Sequence, residues 1–333
     1  MRLTIIGCGL VGAKRAAAAR AGGHRVVAVA DRDAARAAAL AAETGAKAFD
    51  DPAAAIGAAV DAVVVATSHD ALAGLARAAV QAGRHVLVEK PAGRNLAEAE
   101  RLREAARAAG VVVKVGFNHR FHPALVAAKR LVESGALGPL YSIRGRYGHG
   151  GRVGYESEWR CRREISGGGE LIDQGSHLID LSRWFLGELA LDYAALPTFF
   201  WDIAVEDNAF LALGGAERRI AWLHASWSEW KNLFAFEIAG RDGKLTIDGL
   251  GGSYGVERLT HHRMLPGMGP PQTTIWEYPF ADASWSAELA AFAAALAGQP
   301  SDIADIDDAC AVLAIVEAAY ATAVIPPGRP DPR

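Results

Sequence analysis

Asp173 and His177 stand four residues apart in a segment with helical spacing. Residues at this spacing lie on the same side of a helix, so the carboxylate and the imidazole would face one way. Histidine is the side chain that exchanges a proton most readily near neutral pH, and the aspartate could orient it or bind substrate hydroxyls. Lys90 follows a predicted strand and could steady a developing alkoxide. Together these residue types suit proton transfer at an alcohol.

A glycine turn, Gly7-Cys8-Gly9-Leu10-Val11-Gly12, follows the first predicted strand and opens the first predicted helix. Glycines at these positions allow a tight turn, a close approach of a pyrophosphate and close packing of helix on strand. The helix N-terminus adds unpaired N–H groups and a positive dipole end. Asp31, at the end of the second predicted strand, could bind ribose hydroxyls. The pattern predicts a dinucleotide site; the alternative is a structural turn beside an exposed aspartate.

The type of dinucleotide is predicted from the same acidic residue. A carboxylate at Asp31 repels a 2′-phosphate, which favours NAD over NADP. The adjacent Arg32 could accommodate that phosphate if Asp31 turned aside. We therefore predict NAD as the cofactor, with NADP as the weaker alternative.

Composition excludes several classes of protein. The 333 residues carry a formal net charge of −3, without the basic excess of a nucleic-acid binder. The cysteines Cys8, Cys161 and Cys310 lie too far apart for a disulfide scaffold or a structural zinc site, so no metal is predicted. The chain has no apolar run near the roughly 20 residues that span a bilayer, and it begins with a strand pattern rather than a leader. We expect a cytoplasmic protein that binds neither nucleic acid nor membranes.

Residues 1–118 alternate between short apolar runs and helical stretches, which is typical of a doubly wound parallel sheet of the Rossmann type. The predicted strands are Leu3–Ile6, Val26–Val29, Ala62–Ala66, His85–Val88 and Val111–Val115. The predicted helices are Ala13–Ala21, Asp33–Glu43, Ala71–Ala82 and Leu96–Ala109.

Residues 119–333 show a different pattern, which predicts a second, α+β domain with a mostly antiparallel sheet. After a helix at Pro123–Glu133 and a strand at Leu140–Tyr147, a glycine-rich loop is predicted over 148–169, and a helix begins near Glu170. Strands and turns fill 197–278, and two helices close the chain. Because the strand-rich stretch has no helices of its own to cover a second face, we predict a homodimer or homotetramer.

Three further motifs carry a family resemblance. Glu89-Lys90-Pro91 follows the fifth strand, Gly116-Phe117-Asn118-His119-Arg120-Phe121 follows the sixth, and Gly167-Gly168-Gly169-Glu170-Leu171-Ile172-Asp173-Gln174-Gly175-Ser176-His177 opens a helix. With the glycine turn, and in this order, they resemble the glucose–fructose oxidoreductase / inositol dehydrogenase (Gfo/Idh/MocA) family along essentially the whole chain.

The resemblance implies an N-terminal nucleotide-binding domain and a C-terminal α+β domain whose open sheet often serves oligomerisation. It implies an NAD(P)-dependent dehydrogenase or reductase of sugars, cyclitols or nucleotide sugars, and a cis bond before Pro91. One departure is Leu72, which stands where the family usually has a histidine. By motif position the catalytic residues are Lys90, Asp173 and His177. The cofactor contacts besides the turn, Asp31 and Arg32 are Thr67, Ser68, Glu89, Lys90 and Asn118, and the substrate contacts are Lys90, Asn118, Arg120, Asp173 and His177.

Six arginines lie between Arg144 and Arg163, opposed by only three glutamates. They could form a solvated, salt-bridged surface, or a loop that recognises phosphate or carboxylate. Arg160 is the best single candidate for a substrate contact. On this basis a nucleotide sugar or sugar acid is the predicted substrate. The alternatives are an inositol or cyclitol dehydrogenase, an NAD-dependent glycosidase of the same family, and a non-catalytic sensor, which would be expected to lack the lysine or the histidine.

Overall fold

The computed structural model describes residues 1–267 and 269–324, in two compact units. The first unit comprises Met1–Asn118 together with Trp285–Leu313, and the second comprises His119–Ser284 and the chain from Ala314 onward. The sequence-based division into residues 1–118 and 119–333 stays a prediction. The segment Trp285–Leu313 differs from the prediction, which assigns it to the second domain. Phe292 and Glu288 of this segment are fully buried, and Glu288 pairs with Arg15 of the first unit.

The first unit contains a six-stranded sheet in which every pairing is parallel. Its spatial order is β3-β2-β1-β4-β5-β6, the doubly wound order of dinucleotide-binding domains. The strands are β1 Arg2–Ile6, β2 Arg25–Ala30, β3 Lys47–Phe49, β4 Ala62–Val65, β5 His85–Glu89 and β6 Val113–Gly116. The predicted fold class is confirmed, although the prediction has no counterpart for the three-residue edge strand β3.

Helices cover this sheet, which explains why its central strands are apolar throughout: Leu3, Ile5 and Val63 are all fully buried. Side chains cap several of the helices. Asp33 accepts from amides at the start of α2, and the Asn95 side chain accepts from the Glu98 amide at the start of α5. The helices are α1 Leu10–Ala21, α2 Ala34–Thr44, α3 Pro52–Ile56, α4 His69–Gln81 and α5 Leu96–Ala109.

The second unit is built on an eight-stranded sheet of order β14-β13-β12-β11-β7-β10-β9-β8. All its pairings are antiparallel except the one between β7 and β10, so the predicted mostly antiparallel sheet is confirmed. The strands are β7 Leu140–Gly148, β8 Leu189–Ala195, β9 Asn208–Gly215, β10 Ile220–Ser226, β11 Leu233–Gly240, β12 Gly243–Asp248, β13 Glu257–Arg263 and β14 Gln272–Tyr278.

One face of this sheet packs on helices and the other carries exposed aromatic groups. Along β10, Ala221 and Leu223 are buried while Ile220 and Trp222 are half exposed. Trp222 is aligned with Tyr193 of β8 across β9, and the two rings stack with centroids 6.4 Å apart. The alternation gives the sheet an apolar surface that no helix of the second unit covers among the described residues.

The remaining helices of the chain are α6 Pro123–Glu133, α7 Arg163–Ser166, α8 Ser176–Leu186, α9 Ser284–Leu296 and α10 Ile306–Thr322. Helix α10 begins in the first unit and ends in the second. Where the sequence predicts a loop over 148–169, the structure has short 3-10 turns and α7. The helix predicted from Glu170 is π-helical over Leu171–Gly175 before α8 begins, so its first turn is wider than an α-helical turn.

No helix within the described ranges is both long and apolar enough to cross a membrane.

Candidate functional site

The glycine turn of the first unit has the shape of a phosphate cradle. Gly7 adopts φ +94°, and a Cβ there would overlap the backbone of Ala66. A Cβ at Gly12 would overlap the Gly7 carbonyl oxygen, so this glycine lets α1 pack against the turn. At Gly9 a Cβ would meet open space, since no described heavy atom lies within 4 Å of it. The backbone is therefore bare where a pyrophosphate would approach.

Asp31 lies against this turn. Its carboxylate accepts the Cys8 amide N–H at 2.7 Å and the Asp33 amide N–H at 2.9 Å. Burial, followed by the charge of Asp31, raises the pKa of the Cys8 thiol to about 12, so this cysteine stays protonated. Arg32 is exposed. The amides fix the carboxylate at the carboxyl edge of β2, which fits its predicted contact with ribose hydroxyls.

Four other predicted cofactor residues surround the ends of neighbouring strands. Leu10 is 77% exposed at the start of α1. Thr67 and Ser68 follow β4, and the Ser68 hydroxyl donates to Asp70 at 2.6 Å. Asn118 is buried at the end of the unit. Leu72, the departure from the family pattern, is fully buried, so it contributes to the core of this unit.

The Glu89-Lys90-Pro91 segment is anchored through Glu89. Its carboxylate accepts from Arg15 Nε at 2.6 Å, and the buried Arg15 also pairs with Glu288 of α9. The Lys90–Pro91 bond is cis, as the resemblance implies. Ala92 then adopts φ +71°, a conformation that costs energy for alanine and that is found mostly at functional sites. The turn carrying Lys90 is thus closely held by its surroundings.

In the second unit, the structure places Asp173 on the π-helical turn and His177 in the first turn of α8, both buried. The ring of His119 stacks on His177, with centroids 3.7 Å apart and planes 20° apart. Single π-helical turns occur frequently at functional sites. The predicted pair is therefore joined by a second imidazole.

Arg160 and Asp173 form an ion pair, with Arg160 Nε 3.2 Å from Asp173 Oδ2. Arg160 also lies 3.5 Å from a Glu158 oxygen, and its guanidinium stacks over the Trp159 ring at 4.6 Å. Burial alone would lower the pKa of Arg160, but the carboxylates of Asp173 and Glu158 raise it overall. A fixed cation and a fixed anion thus lie side by side.

Two tyrosines extend this cluster. The ring of Tyr147 lies 5.1 Å from His119 and 5.2 Å from Tyr254, and the two phenols are hydrogen-bonded. Gln174 Nε2 donates to the Tyr254 hydroxyl at 3.1 Å. Burial is the main cause that raises the pKa of Tyr147 well above its usual value, so the phenol keeps its proton. The cluster therefore holds neutral hydroxyl groups close to the histidines.

Arg120, predicted to contact substrate, forms a buried bidentate ion pair with Asp180 of α8, at 2.9 and 2.5 Å. This geometry gives its guanidinium a structural partner in the same unit. The substrate contact of Arg120 stays a prediction.

The other arginines of the 144–163 segment have separate partners rather than one common focus. Arg144 pairs with Glu237 at 2.5 Å on the exposed sheet face, and Arg152 pairs with Glu158. Arg162 donates to the Ser157 carbonyl at 3.2 Å, and Arg163 lies over the Tyr320 ring. Within the segment, Glu158 is the carboxylate that pairs with Arg152 and Arg160, and these contacts show no shared anion site among the arginines.

No local pattern in the sequence points to a role for His119 or Tyr254. His119 lies between Asn118 and Arg120 in the motif Gly116–Phe121. Tyr254 comes from the turn after β12, and nothing in the sequence marks it. Among the described residues, no group of three or more potential ligands could hold a metal ion.

Two family models match this chain, one in its first half and one in the middle of its second unit. Residues 1–117 match a family described as "Oxidoreductase family, NAD-binding Rossmann fold", and residues 125–246 match the GFO/IDH/MocA C-terminal domain.

Three curated relatives illustrate the range of similar proteins. A levoglucosan dehydrogenase of Pseudarthrobacter phenanthrenivorans is 34% identical over 46% of this chain and 40% of its own length. Inositol 2-dehydrogenase 2 of Saccharopolyspora erythraea is 38% identical over 56% and 54%. A 1,5-anhydro-D-fructose reductase of Ensifer adhaerens is 30% identical over 71% and 74%. The chain thus matches about half the length of the first two.

Solved structures of other proteins share the fold of this chain over nearly its whole length. A levoglucosan dehydrogenase complex with NADH and levoglucosan has a TM-score of 0.86 and 24% identity, and the match covers 96% of this chain and 97% of that one.

Proposed function

Since this chain belongs to the GFO/IDH/MocA oxidoreductase family, we propose that it is a dehydrogenase that oxidises a secondary alcohol of an uncharged cyclic polyol, a sugar or a cyclitol. NAD is its cofactor, and the bare backbone at Gly9 with the fixed Asp31 carboxylate fits a dinucleotide. When bound, the nicotinamide supplies the acceptor for the hydrogen that leaves the carbinol carbon.

The observation that carries the substrate class is the Arg160–Asp173 ion pair. Adjacent hydroxyls of a ring each donate and accept one hydrogen bond, and a guanidinium beside a carboxylate offers matching donors and acceptors. An anionic group would have to compete with Asp173 and Glu158 for the same cation. For this reason we favour a neutral polyol over the nucleotide sugar or sugar acid that the arginine count suggests.

The second unit also contains a group that can accept the hydroxyl proton of the alcohol. An imidazole nitrogen of His177 takes the hydroxyl proton as the alcohol is oxidised, and burial beside His119 keeps bulk water away from it. The protonated phenols of Tyr147 and Tyr254 can donate hydrogen bonds to neighbouring oxygens. Lys90 of the first unit is the other candidate for proton transfer or alkoxide stabilisation.

A substrate screen tests this proposal. NADH formation is measured with inositols, neutral sugars and glycosides, sugar acids and nucleotide sugars at equal concentration. We expect the highest kcat/KM with a neutral cyclic polyol. A tenfold preference for an anionic sugar would overturn the substrate class, and cleavage of a glycoside with NAD returned unchanged would identify a glycosidase instead.

Replacing Arg160 by alanine should raise KM for the neutral polyol about tenfold, because one charged hydrogen-bond donor is lost and Asp173 is left unbalanced. Steady-state kinetics on the preferred substrate measures the effect. Arg152→Ala is the matched control, since Arg152 pairs with the same Glu158 but is largely exposed, and its KM should stay unchanged. Equal kinetics for both variants and the wild type would remove Arg160 from the substrate site.

Replacing Asp31 by serine should reduce the preference for NAD over NADP, because the carboxylate that repels the 2′-phosphate is removed while Arg32 remains. Fluorescence titration with NADH and NADPH measures both dissociation constants. Tighter binding of NADPH than NADH by the wild type would contradict the role of Asp31.

We also propose that the exposed face of the eight-stranded sheet forms a homodimer or homotetramer. Trp222 and Tyr193 are 49% and 42% exposed on this face, next to Ile220. Light scattering at micromolar concentration should give a mass of two or four chains for the wild type and a lower one for Trp222→Asp. A monomeric wild type would refute the proposal.

A further inference from the structure

A single residue, Glu206, accepts three consecutive amides at the start of the segment that carries Asp173. Gly169 N–H and Leu171 N–H donate to its Oε1 at 2.9 and 3.1 Å, and Glu170 N–H donates to its backbone carbonyl at 3.0 Å. Amides at the beginning of a helix have no partner within the helix, and a negative charge there is favoured by the helix dipole. Glu206 therefore caps this helix from a distant part of the chain.

Tyr320, near the end of α10, holds the Glu206 carboxylate in turn. Its hydroxyl donates to Glu206 Oε1 at 2.8 Å, and Glu206 is only 4% exposed. The two glycines before Glu170 permit this close arrangement. A Cβ at Gly168 would overlap the Tyr320 hydroxyl, and a Cβ at Gly169 would overlap the Glu206 carbonyl. Glycine is therefore needed at both positions because a larger side chain would not fit.

The capped amides are linked directly to the candidate site. Asp173 N–H donates to the Gly169 carbonyl at 3.1 Å, and the Asp173 carbonyl accepts from the Ser176 hydroxyl at 3.0 Å. A shift at residues 169–171 is therefore passed along the π-helical turn to Asp173 and to His177 in the next turn.

We infer that Glu206 and Tyr320 are positioning residues, which fix the backbone that aims Asp173 and His177 at the substrate. The inference rests on the proposed function for its kinetic consequence. Because a positioning residue acts on the reacting geometry, its loss should appear in kcat, while KM for NAD stays within about twofold.

The chain offers a matched control next to Glu206. Asp207 is also buried, and its carboxylate accepts three consecutive amides, those of Phe199, Phe200 and Trp201 at 2.7–3.0 Å. It holds a different loop. Loss of its charge should lower stability as the Glu206 variants do, without affecting the segment that carries Asp173.

The test compares Tyr320→Phe, Glu206→Gln, Glu206→Ala and Asp207→Asn. We expect kcat to fall about tenfold in Tyr320→Phe, which loses the hydrogen bond that holds the Glu206 carboxyl group, and further in Glu206→Ala. Glu206→Gln should be milder than Glu206→Ala, because an amide oxygen can still accept. Asp207→Asn should keep kcat within about twofold of the wild type. Equal losses of kcat in Asp207→Asn and Tyr320→Phe, or an unchanged kcat in Tyr320→Phe, would overturn the inference.

A second measurement is independent of the activity. Hydrogen exchange of the peptide covering residues 168–177, followed by mass spectrometry, should be faster in Tyr320→Phe and Glu206→Ala and unchanged in Asp207→Asn. If no polyol is oxidised but exchange follows this pattern, the proposed function fails while the positioning role holds. If exchange is the same in all variants, the positioning role fails.

Discussion

Replacing His177 by alanine should lower kcat about 100-fold or more, the usual scale for a positioned proton-transfer group. The His177 imidazole is buried against the His119 ring, on a helix whose first amides are capped by Glu206. Bulk water therefore cannot take over the proton transfer without a rearrangement of the site. Steady-state kinetics on the preferred polyol measures the loss. Affinity for NAD should change little, because His177 belongs to the second unit.

A second histidine provides the control for that experiment. His224 also stacks on an aromatic ring, that of Phe210 at 4.1 Å, but it lies on the sheet face proposed for oligomerisation, away from Asp173 and His177, and bonds to Asn208. His224→Ala should keep kcat close to that of the wild type. If His177→Ala also keeps it, the acid–base role belongs elsewhere, with Lys90 as the first candidate. Lys90→Ala is itself expected to lower kcat by about 100-fold.

Replacing Glu288 by alanine should lower the free energy of unfolding of the first unit by about 3–5 kcal/mol, the usual result of removing one partner from a buried ion pair. Arg15 and Glu288 have fully buried side chains, and Arg15 would keep only the partly exposed Glu89. Burial works to lower the pKa of Arg15, and the carboxylates, Glu288 before Glu89, raise it overall, so the variant removes the larger of the two compensating charges. Urea denaturation measures the loss.

Helix α1, which carries Arg15, offers a matched comparison on its exposed side. Arg20 of α1 pairs with Glu43 at 3.3 Å, with both side chains about half or more exposed. Glu43→Ala should change the free energy of unfolding by less than about 1 kcal/mol, because solvent screens the pair. Comparable small losses for Glu43→Ala and Glu288→Ala would show that the buried pair does not stabilise the first unit.

The sequence predicts those strands and helices that are long enough to show a clear hydrophobic pattern. The unbroken apolar runs of β1, β4 and β5 predict buried parallel strands, and each is found. Lys47–Phe49 and Pro52–Ile56 escape prediction because three and five residues are too short to show a period. The π-helical turn also escapes, since the sequence of Leu171–Gly175 reads like ordinary helix and the wider turn depends on what caps it.

The residues of the candidate site also differ in whether a local sequence pattern predicts them. The candidate role of Asp31 can be predicted from a local pattern, because an acidic residue ends the second strand after a glycine turn. Arg15 lies in an alanine-rich helix and would be taken as exposed, because its partner Glu288 is 273 residues away in sequence. The contacts of Tyr254 with Gln174 and of Tyr320 with Glu206 likewise join distant residues. Such pairs are defined by the fold, and no local pattern contains them.

The return of Trp285–Leu313 to the first unit has a consequence for biosynthesis. The strands of the first unit are synthesised early, yet Glu288 and Phe292, which are buried residues of that unit, emerge only after residues 119–284 of the second unit have been translated. Domains generally fold as units during synthesis, but here the first must wait with Arg15 lacking one of its two carboxylates. Each unit thus depends on a segment translated late, the first on Trp285–Leu313 and the second on the chain from Ala314 onward, so a nonsense codon anywhere before residue 285 would leave both incomplete.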